Sequence, residues 1–377
     1  MVQPTGITLA HNDRPLWDVF CHVVDNLGDI GVCWRLVDNL ANRGQRVRLW
    51  IDQPEPLRWM APGALEGANP WIEVIAWTTP LPAGLCESLA PAQVWVEAFG
   101  CHPPDEAQKA LAGQLAKGAA PPVWINLEYL SAESYVERSH GLPSPVMSGP
   151  LRGLGKWFFY PGFTAATGGL LREPDLLERQ AGFDGDAWTR HMKLPPATEQ
   201  RISVFCYEPP ALSDLLRQAS AESSPTDWLV TPGRAAQAMN AASARSGLQE
   251  AGHLHFLPAL PQHEFDHLLW LCDLNLVRGE DSLVRAIWAG KPFVWHIYPQ
   301  EDDAHHAKLD AFLDWLDAPE TLRRFHHIWN GMSRAEPIWP GWNTVNQWRD
   351  CVQAARSRLL AQRDLSTQLL EFVFKKR

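Results

Sequence analysis

Residues 16–52 follow a pattern that few folds can satisfy. Leu16 to Val23 is an apolar run of strand length, and Asp25 to Gly31 is a glycine-punctuated turn. Val32 to Asn42 then carries Leu36, Val37 and Leu40 at helical spacing, with Gly44 as the stop, and Val47 to Ile51 is a second apolar run closed by Asp52. Strand, turn, helix and strand in so short a stretch is a βαβ unit, which obliges its strands to run parallel. Further runs at Ile72–Trp77, Val94–Ala98 and Val123–Leu127 extend the alternation into a Rossmann-like sheet.

The alternation stops and then returns. From Ser148 to Pro196 glycines and prolines punctuate the chain, which reads as loop-rich material between domains. Strands are then expected at Ile202–Tyr207, Trp228–Thr231, Leu254–Leu257, Leu274–Val277 and Phe293–Ile297. Between them, helices are expected at Ala211–Ala219, Ala235–Ser246, His263–Cys272 and Asp281–Ala289. A helical tail carries amphipathic stretches at Ala304–Leu316, Thr344–Leu360 and Ser366–Phe374. A length of 377 residues exceeds what one core usually organises. The expected layout is a frayed leader at 1–15, a Rossmann-like domain at 16–160, an interdomain segment at 161–196 and a second doubly wound domain at 197–340. Helices at 341–377 are expected to pack back on the first domain. Two such halves facing a central cleft place ligands at the carboxyl ends of the strands.

Composition removes several functions. A net charge of −10 disfavours a nucleic-acid partner and leaves room for a cationic substrate. No stretch approaches the run of about twenty apolar residues that spans a bilayer, so no membrane is expected. The seven cysteines are scattered without a CxxC pair, which argues against a disulfide scaffold or a zinc site and favours a reducing cytoplasm. The densest histidine cluster, Asp302, Asp303, His305 and His306, reads as a solvated helix face, and no metal is expected.

Two segments carry chemistry. Val24-Asp25-Asn26-Leu27-Gly28-Asp29-Ile30-Gly31 lies where the first strand gives way to its helix, at the ligand end of the sheet. Acidic side chains there make a poor dinucleotide cradle. Paired carboxylates can instead hold a guanidinium by bidentate hydrogen bonds or take a proton from a nucleophile. Asp29 as a simple helix cap is the alternative. Arg278-Gly279-Glu280-Asp281-Ser282 lies between strand and helix in the second domain. Backbone N–H groups of a helix start suit a diphosphate, with Arg278 and Ser282 as further donors and Glu280 as an acceptor for a sugar hydroxyl. Equally, these acidic residues complement the helix dipole. Phe205 and Tyr207 could offer aromatic faces to a base or sugar, and Gln262 an amide to a base edge, with core packing the alternative for each.

Taken together these residues resemble the EarP family, the protein-arginine rhamnosyltransferases of elongation factor P. The resemblance is spread over Trp17-Asp18-Val19-Phe20-Cys21, Cys33-Trp34-Arg35-Leu36, Asn126-Leu127-Glu128-Tyr129-Leu130-Ser131-Ala132-Glu133 and His140-Gly141-Leu142-Pro143-Ser144-Pro145. It continues through Phe205-Cys206-Tyr207-Glu208, Leu260-Pro261-Gln262, Arg278 to Ser282, and Trp288 to Pro292 with Trp295 to Gln300. The resemblance implies an inverting enzyme of GT-B fold, with dTDP-β-L-rhamnose as donor and elongation factor P as acceptor protein, which makes 16–160 the acceptor domain and 197–340 the nucleotide-sugar-binding domain. It implies a catalytic set of Asp29, as general base, with Asp25 and Glu280. Phe205, Tyr207, Gln262, Arg278, Asp281, Ser282 and Tyr298 are the implied donor-binding residues, with Glu280 beside them, and no cofactor is implied.

The chemistry is consistent with that reading. A guanidinium is a poor nucleophile because it stays protonated and its lone pairs are delocalised. Carboxylates can hold it and accept its proton as the bond forms. Two rivals share the fold class or the partner: an NAD-dependent oxidoreductase, which lacks its glycine fingerprint here, and a non-catalytic module that docks on a translation factor.

Overall fold

The computed structural model describes residues 14–24, 27–196, 200–222, 225–247, 253–300, 302–333 and 335–377. The expected leader therefore lies almost wholly outside the described residues, as do Asp25 and Asn26. The chain divides into two compact units. One holds the described residues up to Tyr129, then Ser139–Tyr160 and Leu365–Arg377; the other holds Leu130–Arg138 and Pro161–Asp364.

The first unit is built on seven strands: β1 Leu16–Cys21, β2 Arg46–Ile51, β3 Ile72–Ala76, β4 Val94–Ala98, β5 Val123–Leu127, β6 Pro143–Pro145 and β7 Gly155–Phe159. Their order is β3-β2-β1-β4-β5-β7-β6, all parallel except the β6–β7 pair. Central β1 is buried along its whole length, as a parallel strand covered on both faces must be. Its one charge, Asp18, faces Arg48 across the register. It takes a bidentate bond from that guanidinium at 2.6 and 2.8 Å and a third from Trp50 Nε1 at 3.0 Å. Burial pushes the Asp18 carboxyl up, against the opposing pull of Arg48.

The helix Gly28–Asn42 begins four residues earlier than its apolar spacing suggests, so Gly28 and Gly31 belong to its first turn rather than to a special turn before it. Ile30, Cys33, Leu36, Val37 and Leu40 form its buried stripe. Strand β7 falls in the segment read as loop. Glycines at 153 and 155 mask it in the sequence, yet Trp157, Phe158 and Phe159 pair with β5 as aromatic strand residues do. The closing helix Leu365–Lys376 belongs to this unit. Phe372 meets Trp157 and Phe159 edge-on at 5.7 Å each, and Arg43 donates to Thr367 at 2.6 Å.

The second unit has five parallel strands: β8 Gln200–Val204, β9 Thr226–Val230, β10 Leu254–Phe256, β11 Leu274–Arg278 and β12 Phe293–His296. Their order is β10-β9-β8-β11-β12. Both sheets therefore reverse winding beside their first strand, at β1/β4 and at β8/β11, where doubly wound folds bind ligands.

Two expected boundaries are corrected here. Residues 161–196 are not a separate connector but part of the second unit, with helices at Leu176–Ala181 and Gly185–His191. Arg285 on helix Gly279–Ala289 explains the attachment. Its buried guanidinium bonds Asp266 at 2.8 and 2.7 Å and Glu173 at 2.7 Å. Trp288 of the same helix donates to Leu171 O at 2.7 Å. Of the tail 341–377, only Leu365–Arg377 joins the first unit. Helix Trp342–Leu360 belongs to the second, where Arg356 donates to Trp288 O at 2.9 Å. Helix Glu320–Trp329 lies in the tail expected to be helical but outside its three expected amphipathic stretches; its Leu322, Phe325, Ile328 and Trp329 enter the second core.

Candidate active site

In the first unit the segment after β1 is held by two carboxylates. Asp52, at the end of β2, accepts the Val23 N–H at 2.9 Å and meets His22 Nδ1 at 2.9 Å through its other oxygen. Asp29 accepts the next N–H, that of Val24, at 2.8 Å. Asp29 is buried, while the Val24 side chain is exposed. It occupies the second position of helix Gly28–Asn42, whose Ncap Leu27 has no side-chain cap bond. Asp29 thus does not cap the helix as an Ncap residue would; it reaches back to fix the loop. Asp25 falls between these anchors in sequence, outside the described residues.

The strand beside β1 adds an aromatic pair that residue patterns did not reveal. Phe99 follows β4 with φ of 58°, a conformation unfavourable for a bulky side chain, and stacks on the half-exposed Tyr129 at 4.7 Å. Glu128, at the end of β5, accepts from Asn126 Nδ2 at 2.7 Å, and burial raises its carboxyl above the usual range.

In the second unit Phe205, Tyr207, Arg278 and Tyr298 meet at the carboxyl ends of β8, β11 and β12. Arg278 ends β11 and is buried, with its guanidinium 4.6 Å from the Phe205 ring and 4.8 Å from the Tyr207 ring. Its Nη1 donates to Cys206 O at 3.3 Å. Two aromatic faces and a carbonyl therefore fix one cation at the switch point. Tyr298 meets Tyr207 edge-on at 5.8 Å and stays half-exposed. Gln262 is partly buried and opens helix Gln262–Leu271, which follows β10, two strands from β8.

Helix Gly279–Ala289 starts at this point. Gly279 has φ of 68°, a left-handed conformation that any Cβ would strain, and it lets an extended Arg278 turn at once into helix. Ser282 is consumed by that turn. Its oxygen accepts the Arg278 N–H at 3.1 Å, and its hydroxyl donates to the Arg278 carbonyl. Glu280 is likewise engaged, accepting the Leu130 N–H at 2.8 Å and the Lys308 ammonium at 2.7 Å. Asp281 sits in the first turn, partly buried.

Three residues of this cluster carry no role in the sequence reading, although Glu208 and His296 fall within its quoted motifs. Arg234 lies 4.7 Å over the Tyr207 ring and makes a bidentate pair with Glu208. His296, at the end of β12, faces Arg278 in register and meets Tyr207 edge-on at 5.1 Å. Burial first, with Arg278 and Arg234 beside it, lowers His296 to about 3, so the ring is neutral at ordinary pH.

The histidine cluster near residue 303 differs from a solvated face. Asp303, His305 and His306 bring their ligand atoms within 4.8 Å of one another, and His305 is buried. His305 Nδ1 accepts the Gln300 N–H at 3.1 Å, which assigns the ring proton to Nε2 and leaves that nitrogen no lone pair for a metal. Among the described residues no helix is long and apolar enough to cross a membrane.

The profile of a family described as the elongation-factor P (EF-P) rhamnosyltransferase EarP matches residues 17–374. The chain belongs to the EarP family. A protein-arginine rhamnosyltransferase of Pseudomonas aeruginosa is 39% identical over 381 residues, covering 94% of this chain and 98% of that protein. A solved structure concerned with EarP-mediated arginine glycosylation of translation elongation factor EF-P is 27% identical. It superposes with a TM-score of 0.62 over 97% of this chain and 100% of its own. The spinosyn rhamnosyltransferase shares the fold alone, at 14% identity and a TM-score of 0.52 over 95% of this chain and 99% of that one. The two parallel-sheet units of this EarP family member are thus those of a GT-B glycosyltransferase, with a helical C-terminal segment.

Proposed function

We propose that the protein is a cytoplasmic protein-arginine rhamnosyltransferase that moves L-rhamnose from dTDP-β-L-rhamnose to an arginine of elongation factor P, with inversion. The observation that carries this reading is the seating of Arg278 between Phe205 and Tyr207 at the switch point of a family-matched fold. A cation fixed there, beside a helix start, suits a diphosphate joined to a base and a sugar.

The residues take the following roles. Phe205, Tyr207, Tyr298 and Gln262 receive the base and sugar, and Arg278 with the first turn of helix Gly279–Ala289 binds the diphosphate. Asp281 contributes from that turn. Ser282 acts indirectly, because its hydroxyl already closes the turn that orients Arg278. Glu280, joined to Lys308, presents a carboxylate to the sugar hydroxyls. Asp25 holds the acceptor guanidinium. One guanidinium nitrogen attacks the anomeric carbon as the carbon–oxygen bond to the diphosphate breaks. The nitrogen's proton passes to the Asp29 carboxylate, and dTDP leaves with the bonding electrons. A single displacement from the face opposite the leaving group inverts the anomeric centre. Stabilising the leaving charge with prepositioned donors supplies the largest share of such catalysis.

The test is the anomeric configuration of the product. Elongation factor P treated with the enzyme and dTDP-β-L-rhamnose should carry an α-linked rhamnosyl arginine by NMR. A β-linked product would overturn the single displacement, and transfer from another nucleotide sugar in preference would overturn the donor.

A further inference from the structure

Tyr207 carries two guanidinium groups over one ring, Arg278 at 4.8 Å and Arg234 at 4.7 Å. The chain places them far apart, and the sheet collects them. Arg278 ends β11, Tyr207 follows β8, and Arg234 opens the helix Arg234–Ser246 that follows β9. Because β9, β8 and β11 are neighbours in the sheet, all three residues stand at one carboxyl edge. Resting two cations on one aromatic ring costs mutual repulsion, which an anion between or beside them relieves. In the structure Glu208 supplies part of that relief through its bidentate bond to Arg234, one arm of which spans 2.8 Å.

Two further features point the same way. The helices Arg234–Ser246 and Gly279–Ala289 both start at this edge, so the positive ends of two helix dipoles meet there. The Arg234–Glu208 pair is also exposed, at 38% and 54% of the side chains. An ion pair so open to water is weak enough to be exchanged for a phosphate, while the stack on Tyr207 keeps the guanidinium fork aimed.

We infer that Arg234 is a second diphosphate-binding residue of the donor site, held in readiness by Glu208 until the nucleotide arrives. This rests on the donor reading above. On binding, the guanidinium turns its donors from the Glu208 carboxylate to a phosphate oxygen, and Glu208 moves into solvent. Glu208 therefore competes with the donor, which gives the two partners opposite effects on affinity.

Calorimetry with dTDP and with thymidine tests this on the full chain. Arg234→Ala should weaken dTDP binding about tenfold and leave thymidine binding unchanged, since only the nucleotide carries phosphate. Glu208→Gln should keep or tighten dTDP binding, and Arg234→Lys should recover part of the loss. Equal dTDP affinity in Arg234→Ala and wild type would overturn the inference, as would a matching loss in Glu208→Gln, which marks a structural ion pair. A loss of thymidine affinity as large as that of dTDP would also overturn it. Wild-type protein that binds no dTDP would instead sink the donor reading on which the inference stands.

Discussion

Asp29 accepts the backbone N–H of Val24 at 2.8 Å, tying together the two ends of the segment that carries Asp25. With Asp52 holding Val23 at 2.9 Å, consecutive amides of this loop are each bonded to a carboxylate. The proposed base is therefore also a loop anchor, and the two roles must be separated by experiment.

Asp29→Asn separates them. The amide oxygen still accepts the Val24 N–H, so the melting temperature should stay near wild type and dTDP should still bind. The transfer rate should fall by about a hundred- to ten-thousandfold, the usual range for loss of a general base. Asp29→Ala, which also removes the anchor, should lose stability by roughly 1–3 kcal/mol besides. A normal rate in a folded Asn variant would reduce Asp29 to an anchor.

Arg278→Ala should weaken dTDP binding by roughly ten- to a hundredfold, because a buried charge-assisted bond to phosphate is lost. The seat between Phe205 and Tyr207 makes the site specific for a planar cation, so Arg278→Lys should recover little. Titration of dTDP against each variant measures this; equal affinities would contradict the assignment.

Gly279 turns the chain at φ of 68° between β11 and its helix. Gly279→Ala should destabilise the protein by about 1–2 kcal/mol and weaken donor binding, because the turn also aims Arg278. Chemical denaturation and dTDP titration together check it. A neutral effect on both would show that the turn tolerates a Cβ.

Stability should fall on acidification. His326 is fully buried, its Nε2 accepting the Trp295 N–H at 3.0 Å and its Nδ1 facing Leu322 O at 3.0 Å. Burial lowers it to about 4, and His296 to about 3, from an ordinary 6.5. Between pH 6.5 and 4 the unfolded chain binds protons that these rings refuse when folded, so stability is full above 6.5 and declines as pH falls. The decline for His326 amounts to at most about 3 kcal/mol. Melting temperatures from pH 7 to pH 4 should drop less steeply in His326→Gln. Parallel curves would exclude His326 as a source.

Much of this architecture is legible in the chain. Strands at Val94–Ala98 and Val123–Leu127 match to the residue because buried parallel strands are near-continuous apolar runs, interrupted here only by Glu97 and Asn126. Phe205, Tyr207 and Arg278 were marked as donor-site residues, and the fold brings them together. Arg234 and His296 were not, because their nearness to Tyr207 comes from strand order, which no local pattern states. Strand β7 was hidden by its flanking glycines. Helix Trp342–Leu360 was visible as a helix, but its attachment depends on Arg356 reaching the Trp288 carbonyl, a contact between distant residues.

The most direct test of the account is the intact mass of elongation factor P after incubation with this protein and dTDP-β-L-rhamnose. The account predicts a gain of one deoxyhexosyl unit, located by fragmentation on a single arginine and absent with Asp29→Asn. An unchanged mass, with enzyme that is folded and binds dTDP, would contradict it.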